Sequence, residues 1–267
     1  MLHRRPGKNK RKRGILAKKR PEKSLLLPIK KKAGKNNTGR ITVRHKGGGA
    51  KRLYRIIEFG QARMGQLGRV EAIEYDPNRT CFIALLRYND GYKQYILAPD
   101  GLKAGDSVIC GESTELKAGN RIRLANTVVG TMVHNIELQP GMGGQIARTA
   151  GSSGQVMAQE GKYTNIKMPS GEIRKILNVC FCSVGNLSNP EHRFEQMGKA
   201  GIARLRGIRP SVRGSAMNAC DHPHGGGKNA QPIGLRYPKT PWGKHALGVK
   251  TRKRKNSDRL IMQRRGK

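Results

Sequence analysis

The stretch that decides the fold reads Gly68-Arg-Val-Glu-Ala-Ile-Glu-Tyr-Asp-Pro-Asn-Arg-Thr-Cys-Phe-Ile-Ala-Leu-Leu-Arg-Tyr-Asn-Asp-Gly-Tyr-Lys-Gln-Tyr-Ile-Leu97. It holds three runs rich in β-branched, aromatic and aliphatic residues, at 68–75, 81–88 and 92–97. Between them stand Asp76-Pro-Asn78 and Asn89-Asp-Gly91, whose Pro, Asn and Gly residues preset the dihedral angles of turns. Short strands at this spacing predict a small β-barrel.

The same pattern continues on both sides of this stretch. One strand is predicted at 53–59, and a second cluster is predicted at 128–138, 155–159, 163–168, 172–177 and 179–184. The tightest turn of this cluster is Met168-Pro-Ser-Gly171. The Gly-rich segment 141–154 is too long for a plain turn and is interpreted as a binding loop. The chain is therefore predicted to be mainly β, with two small domains between residues 53 and 197.

One helix is predicted, from about Glu191 to Leu205. Asn189-Pro190 precedes it, where Asn can cap a helix and Pro suits the first turn. After Gly207 we expect little regular structure.

The charge of the chain is unevenly distributed. Its 267 residues carry 54 Lys plus Arg and 17 Asp plus Glu, a formal net charge of +37. Residues 1–52 hold 20 basic residues and 1 acidic residue, 198–267 hold 18 and 2, and 53–197 hold 16 and 14. Such a charge opposes compaction until phosphates neutralise it, so the expected partner is nucleic acid. A nearly neutral core with two basic extensions is predicted, and the extensions are expected to lack structure without that partner.

Cysteine content and hydropathy narrow the environment. The five cysteines lack the dense spacing of a secreted disulfide scaffold, which favours a reducing compartment. No run approaches the roughly 18 apolar residues of a membrane span. The basic, acid-poor N-terminus is typical of a mitochondrial targeting segment and equally of an RNA-binding arm.

Three loop-like motifs are candidates for binding. Gly47-Gly-Gly49 could let the backbone approach a phosphate chain. The four arginines of Arg204-Leu-Arg-Gly-Ile-Arg-Pro-Ser-Val-Arg-Gly214 could meet phosphates at several angles or stack on bases, although a solvated basic loop is the alternative. The third motif is Asp221-His-Pro-His-Gly-Gly-Gly227.

The two histidines of the third motif allow three interpretations. They could bind a metal with Cys220 and Asp221, act as general acid and base, or pack by hydrogen bonds in RNA. Tandem Cys-x-x-Cys motifs are absent, and nothing nearby supplies the rest of a catalytic constellation, so RNA packing is favoured. Neither triple glycine fits a nucleotide-binding P-loop.

Several motifs together resemble one family. They are Gly39-Arg-Ile-Thr-Val-Arg-His-Lys-Gly-Gly-Gly49, Tyr75-Asp-Pro-Asn-Arg79, Tyr95-Ile-Leu-Ala-Pro99, Val133-His-Asn-Ile136, Ser170-Gly-Glu172, Val212-Arg-Gly214 and Asp221-His-Pro-His-Gly-Gly-Gly227. Their order is typical of large-subunit ribosomal protein two, and the resemblance runs from about Thr38 to Lys267. Ala50 stands where His is usual after the triple glycine, and Ala219-Cys220 stand where Pro-Val is usual.

The resemblance implies a fold and a function. The fold would be an oligonucleotide-binding (OB) barrel at 53–127 and an SH3-like barrel at 128–197, with basic extensions at 1–52 and 198–267. The protein would be a non-enzymatic part of the large ribosomal subunit, binding rRNA near the peptidyl transferase centre and supporting subunit association, tRNA binding and peptide-bond formation. Partners would be large-subunit rRNA, neighbouring ribosomal proteins and the small subunit, with no membrane and no small-molecule substrate.

No cofactor or metal site is implied, and Mg ions would be held only through the rRNA. The residues from Pro232 to Gly243 and from Lys253 to Asp258 resemble organellar members, so a mitochondrial ribosome is favoured over a plastid or bacterial one. Two rivals stay open: an RNA-processing or peptidyl-transfer enzyme using His222 or His224, and a basic protein that binds DNA or a membrane surface.

The predicted RNA-binding residues are those basic, histidine and tryptophan side chains that lie in or beside these motifs. They are Arg40, Arg44, His45, Lys46, Lys51, Arg52, Arg55, Arg148, Arg204, Arg206, Arg209, Arg213, His222, His224, Lys228, Trp242, Arg252 and Arg254.

Overall fold

A computed structural model describes residues 14–228 and 232–266 of the chain. Most of its longer strands lie in the alternating or unbroken apolar runs of the sequence. Residues 1–13 of the predicted N-terminal extension lie outside this range. The described chain is mainly β, as predicted. No helix in these ranges is both long and apolar enough to cross a membrane.

The first half of the chain forms a small pair of strands and a four-stranded sheet. The pair consists of β1, Leu26–Pro28, and β2, Leu53–Arg55. The sheet consists of β3, Leu67–Glu74; β4, Ile83–Arg87; β5, Lys93–Leu97; and β6, Ser107–Ile109. It is antiparallel, in the order β5-β4-β3-β6.

Strand β4 is buried on both faces. Leu85 belongs to an apolar cluster with Tyr95, whereas the next residue, Leu86, belongs to another cluster with Val70. Because successive side chains of a strand point to opposite faces, residues 81–86 must be apolar without interruption. Full burial of each such Leu or Ile stabilises the fold by about 1.5–3 kcal/mol.

The second half forms a seven-stranded antiparallel sheet in the order β15-β13-β12-β11-β8-β14-β7. Its strands are β7, Arg121–Arg123; β8, Met132–His134; β11, Gly154–Glu160; β12, Tyr163–Lys167; β13, Ile173–Leu177; β14, Phe181–Val184; and β15, Ile261–Gln263. The strands β9, Ile136–Glu137, and β10, Gly144–Ile146, pair separately. One apolar cluster, centred on Val133, Ile136 and Ile166, fills this half.

The predicted turns are confirmed. The Asp76 carboxylate accepts a hydrogen bond from the Asn78 N–H at 2.9 Å. Gly91 has φ +80° and donates its N–H to the Tyr88 carbonyl at 3.0 Å. Gly171 has φ +87° and donates likewise to Met168 at 2.9 Å. Glycine tolerates these left-handed angles without steric cost.

The predicted strand 128–138 is wrong in its continuity. Asn135 adopts a left-handed conformation with φ +48°, which separates β8 from β9. The Asn135 carbonyl accepts a hydrogen bond from the guanidinium of buried Arg121 at 3.0 Å. The turn at Asn135 therefore accompanies a tertiary hydrogen bond, and the strand propensities of the flanking residues do not predict it.

The Gly-rich segment 141–154, interpreted as a binding loop, packs into the fold at Gly143 and Gly144, and its binding role stays a prediction. Gly143 donates its N–H to buried Glu137 at 2.8 Å, and Gly144 donates to the Phe59 carbonyl at 2.7 Å. A Cβ on Gly144 would lie 2.1 Å from Oδ1 of Asn135. These glycines are needed for close approach of the protein's own backbone.

The predicted helix from about Glu191 to Leu205 is interrupted. A short 3₁₀ helix spans Pro190–Phe194, and an α-helix, α1, spans Ala200–Leu205. Asn189 has φ +63° and donates its side-chain amide to the Thr80 carbonyl at 2.6 Å instead of capping a helix. Gly198, with φ +68°, lies in the gap.

Part of the predicted N-terminal extension is ordered against the four-stranded sheet. Ala17 donates its N–H to the Ile73 carbonyl at 2.9 Å, and Glu22 donates its N–H to the Tyr95 hydroxyl at 3.0 Å. Leu16 and Leu25 pack against the apolar clusters. The expectation that this extension lacks structure is therefore wrong for these residues, because apolar side chains interrupt its basic runs.

The described residues divide into two compact units by their contacts. The sheet unit comprises 14–30, 52–198 and 257–266, and the basic unit comprises 31–51, 199–228 and 232–256. The sheet unit includes β7, which precedes residue 128, and β15, which lies beyond residue 198. The fourfold division at residues 52, 127 and 197 stays a prediction.

The burial of His134 predicts that the folded protein loses stability in acid. His134 donates its Nδ1–H to the Gly185 carbonyl at 2.8 Å, and burial lowers the pKa of His134 to about 4. The unfolded chain, with a value near 6.5, binds the proton more readily, so stability is lost as pH falls from 6.5 to 4. The loss should be on the order of 3 kcal/mol.

Urea unfolding followed from pH 7 to pH 4 measures this loss. His134→Asn, which retains a donor near the Gly185 carbonyl, should show a shallower pH dependence than the natural chain. Since other titrating groups are common to both proteins, equal pH dependences would contradict the assignment to His134.

Candidate RNA interface

The basic unit has almost no interior. Its ranges 31–51 and 199–256 contain 21 Lys plus Arg and one acidic residue, Asp221. Among the residues that the structure describes there, only His222 is buried, at 7% exposure. A unit without an apolar core cannot rely on hydrophobic burial for its stability.

Most of the predicted RNA-binding residues lie in this unit. Fifteen of the eighteen belong to it, and the exceptions are Arg52, Arg55 and Arg148 of the sheet unit. The members with exposed side chains are Arg40, Arg44, His45, Lys46, Lys51, Arg204, Arg206, Arg209, Arg213, Lys228, Trp242, Arg252 and Arg254. The structure thus gathers residues that lie far apart in sequence.

Backbone pairing joins the first triple glycine to the arginine-rich motif. Gly47 donates its N–H to the Gly207 carbonyl at 2.8 Å, Ala50 donates to Leu205 at 2.9 Å, and Arg209 donates to His45 at 3.1 Å. Two motifs separated by about 160 positions of sequence therefore form one layer. The basic side chains of both motifs are exposed.

The glycines of this layer have different environments. A Cβ on Gly49 would lie 2.7 Å from the Leu205 carbonyl oxygen, and Gly49 also has φ +61°. A Cβ on Gly48 would meet no atom within 4 Å. From the sequence, these glycines are expected to let the backbone approach a phosphate chain. At Gly49 the close approach is instead to the protein's own backbone.

Both histidines of the third motif accept hydrogen bonds from backbone amides. His222 Nδ1 accepts from the His224 N–H at 3.1 Å, and His224 Nε2 accepts from the Lys239 N–H at 2.8 Å. Their rings lie 4.7 Å apart between centroids. Desolvation lowers the pKa of His222, and neighbouring His224 and Arg44 lower it further. A neutral ring with its Nδ1 lone pair engaged is the consequence.

These hydrogen bonds disfavour a metal at the histidine pair. A metal would need the lone pairs that the two backbone amides already occupy. No group of three or more His, Cys, Asp or Glu side chains suited to a metal occurs among residues 14–228 and 232–266. The rings are positioned as rigid hydrogen-bonding groups.

Aromatic side chains accompany the cations. The Arg44 guanidinium lies 5.6 Å from the ring of Trp242, which is 76% exposed. The rings of Tyr237 and His245 stack at 4.1 Å. Exposed rings beside guanidiniums suit stacking on unpaired RNA bases.

The three predicted arginines of the sheet unit also bond to the protein itself. Arg52 donates to the Pro77 carbonyl at 2.7 Å, Arg55 to Leu53 at 3.0 Å, and Arg148 to Gly144 at 3.2 Å. The guanidiniums of Arg148 and Arg79 both lie over the ring of Phe59, at 4.7 and 4.9 Å. Arg79 was not among the predicted residues, because only the fold brings it beside Arg148.

Two matches to known families cover most of the chain. Residues 22–110 match the family described as "Ribosomal Proteins L2, RNA binding N-terminal domain". Residues 117–243 match "Ribosomal Proteins L2, C-terminal domain".

The chain belongs to the ribosomal protein L2 family. It is a structural, RNA-binding protein of the large ribosomal subunit, and the L2 family is not a family of classical enzymes. The two matched ranges together include sixteen of the eighteen predicted RNA-binding residues, and the other two, Arg252 and Arg254, lie beyond residue 243.

Gly49 provides a test of the backbone layer in this L2 protein. Gly49→Ala would force a left-handed alanine and a clash with the Leu205 carbonyl, at a cost of about 1–3 kcal/mol. Hydrogen exchange of the full chain should show faster exchange at the Gly47 and Ala50 amides. Gly48→Ala, at the neighbouring open position, is the control and should leave these amides protected. Equal protection in both variants would contradict the layer.

Proposed function

We propose that this L2 protein binds large-subunit rRNA chiefly through the basic unit, near the peptidyl transferase centre. There it supports subunit association, tRNA binding and peptide-bond formation as a structural component, without catalysing the reaction. The OB and SH3-like barrels are the proposed folds of the two halves of the sheet unit. A mitochondrial ribosome is the proposed location, with plastid and bacterial ribosomes as alternatives.

The observation that carries this proposal is the lack of an interior in the basic unit. Twenty-one cations and one acidic residue surround a single buried side chain, His222. Repulsion among these cations is relieved when phosphates replace their counterions. Backbone pairing between the two motifs presents the cations on a shaped surface, which suits folded RNA.

The proposed partners follow from the same chemistry. Arg204, Arg209 and Arg213 are exposed and would neutralise phosphates, and His222 and His224 would donate hydrogen bonds to RNA from the ring nitrogens that do not accept backbone amides. Neighbouring ribosomal proteins and the small subunit are the further proposed partners, and Mg ions would be held through rRNA. Neither a membrane nor a small-molecule substrate belongs to the proposal.

The salt dependence of rRNA binding tests the proposal. For the full chain on a large-subunit rRNA transcript, log affinity should fall steeply with log salt, by about 0.7–0.9 per phosphate contacted. Replacing Arg204, Arg209 and Arg213 together by Gln should reduce this slope by about 2 to 3.

The control removes the same charge from the sheet unit. Lys117, Lys162 and Lys167 are exposed there, and their joint replacement by Gln should leave most of the slope intact. A nearly flat slope for the natural chain, or equal losses in the two triple variants, would overturn the proposal.

The enzyme alternative is tested at the histidine pair. His222→Ala and His224→Ala each remove one acceptor of a backbone amide, so assembly of the large subunit and peptide-bond formation should decline together. Particle yield and the rate of the chemical step in purified particles measure the two effects. Normal assembly with a specific loss of the chemical step would favour a catalytic role.

A further inference from the structure

A row of three cations crosses the four-stranded sheet. Arg69 of β3 lies directly opposite Arg87 of β4, and Arg87 lies directly opposite Lys93 of β5. Like charges at directly opposed positions of antiparallel strands destabilise a sheet. The row therefore has an energetic cost that a bound anion would offset.

Nearby carboxylates form ion pairs with the lysine at one end of the row, and Glu71 also attracts Arg87 at longer range. Lys93 lies 2.8 Å from Glu22 and 3.7 Å from Glu71, and Glu71 also pairs with Lys19 at 2.5 Å. The Lys19 hydrogen bond is the main cause that lowers the pKa of Glu71, so this carboxylate stays charged near neutral pH. Both carboxylates are thus occupied by lysines.

The two arginines are left without such partners. Arg69 and Arg87 are both exposed, and neither side chain makes a hydrogen bond or ion pair with any residue in 14–228 or 232–266. Directly opposed residues have Cβ atoms about 5 Å apart, so two guanidiniums can reach one anion between them. Guanidinium forks match the oxygens of a phosphate.

A cleft lies beside this pair. Its volume is about 500 Å³, and its lining includes Arg69, Arg87, Asn89, Gly105 and the lysine-paired carboxylate of Glu71. A Cβ on Gly105 would meet no atom within 4 Å, so the backbone here is open to a ligand. The cleft offers space beside the two charges for the sugar and base that accompany a phosphate.

We propose that Arg69 and Arg87 together bind a backbone phosphate of RNA, as a contact of the sheet unit separate from the basic unit. None of the eighteen residues predicted from the sequence belongs to this site. RNA is favoured over an acidic protein segment because the match to an L2 RNA-binding domain, residues 22–110, includes both arginines. The contact adds to the proposed function and does not depend on the histidine pair.

The test is the full-length double variant Arg69→Gln/Arg87→Gln on a large-subunit rRNA transcript. Its slope of log affinity against log salt should be smaller than that of the natural chain by about 0.7–0.9, the value for one phosphate. Because like-charge repulsion is removed, the free variant should also unfold at a higher temperature at low salt. The control is Lys162→Gln/Lys167→Gln, which removes the same charge from exposed positions of the sheet unit.

Several outcomes would overturn the proposal. One is an unchanged slope in the double variant while the natural chain binds steeply, and this result leaves the proposed function intact. Another is a control variant with the same loss of slope. A third is retained rRNA binding with lost binding of a polyglutamate peptide, which would assign the arginines to an acidic protein. A flat slope for the natural chain would instead overturn the proposed function itself.

Discussion

Repulsion among like charges is the constraint on which the rest of this structure depends. The basic unit holds 21 cations and one acidic residue, and it lacks the apolar interior that could offset their repulsion. Its described order comes from main-chain hydrogen bonds and glycine contacts, such as those between Gly47 and Gly207. A fold of this kind reaches its full stability only when a polyanion supplies the missing counter-charge.

The sheet unit, in contrast, has an apolar interior. Its two halves have their own apolar clusters, and some of its buried polar groups bond to the backbone. Glu137, for example, accepts hydrogen bonds from the N–H groups of Gly143 and Phe181. This unit is therefore stabilised by its own apolar clusters, whereas the proposed rRNA contacts rely on the charge of the basic unit.

The sequence best predicted those strands and turns whose residue types depend directly on burial or on backbone dihedral angles. Strands β3, β4 and β12 follow from alternation or from unbroken apolar runs, and the turns follow from Gly, Pro and Asn. Three-residue strands such as β6 and β7 were not predicted, since so few residues carry no periodicity. The helix prediction failed at Asn189, whose side chain serves a tertiary contact with Thr80. Local propensity cannot report such a contact.

The residue types of the candidate interface could be recognised in the sequence, whereas the spatial arrangement of these residues could not. Its arginines and histidines stand out in the sequence, and the structure places most of them in one unit. The backbone acceptor role of His222 could not be predicted, because the amide that it binds is positioned by the local turn. Likewise, the opposition of Arg69 and Arg87 depends on strand register, which the residue types alone do not specify.

The return of the chain to the sheet at β15 lowers the conformational entropy that is lost on binding RNA. Because Ile261–Gln263 pairs with β13, residues 199–256 form an insertion closed at both ends, as do residues 31–51. Closing a loop reduces the conformational entropy of the unbound segment, so less remains to be lost when RNA orders it. A freely ending tail of the same composition would have to bear that entropic penalty in full.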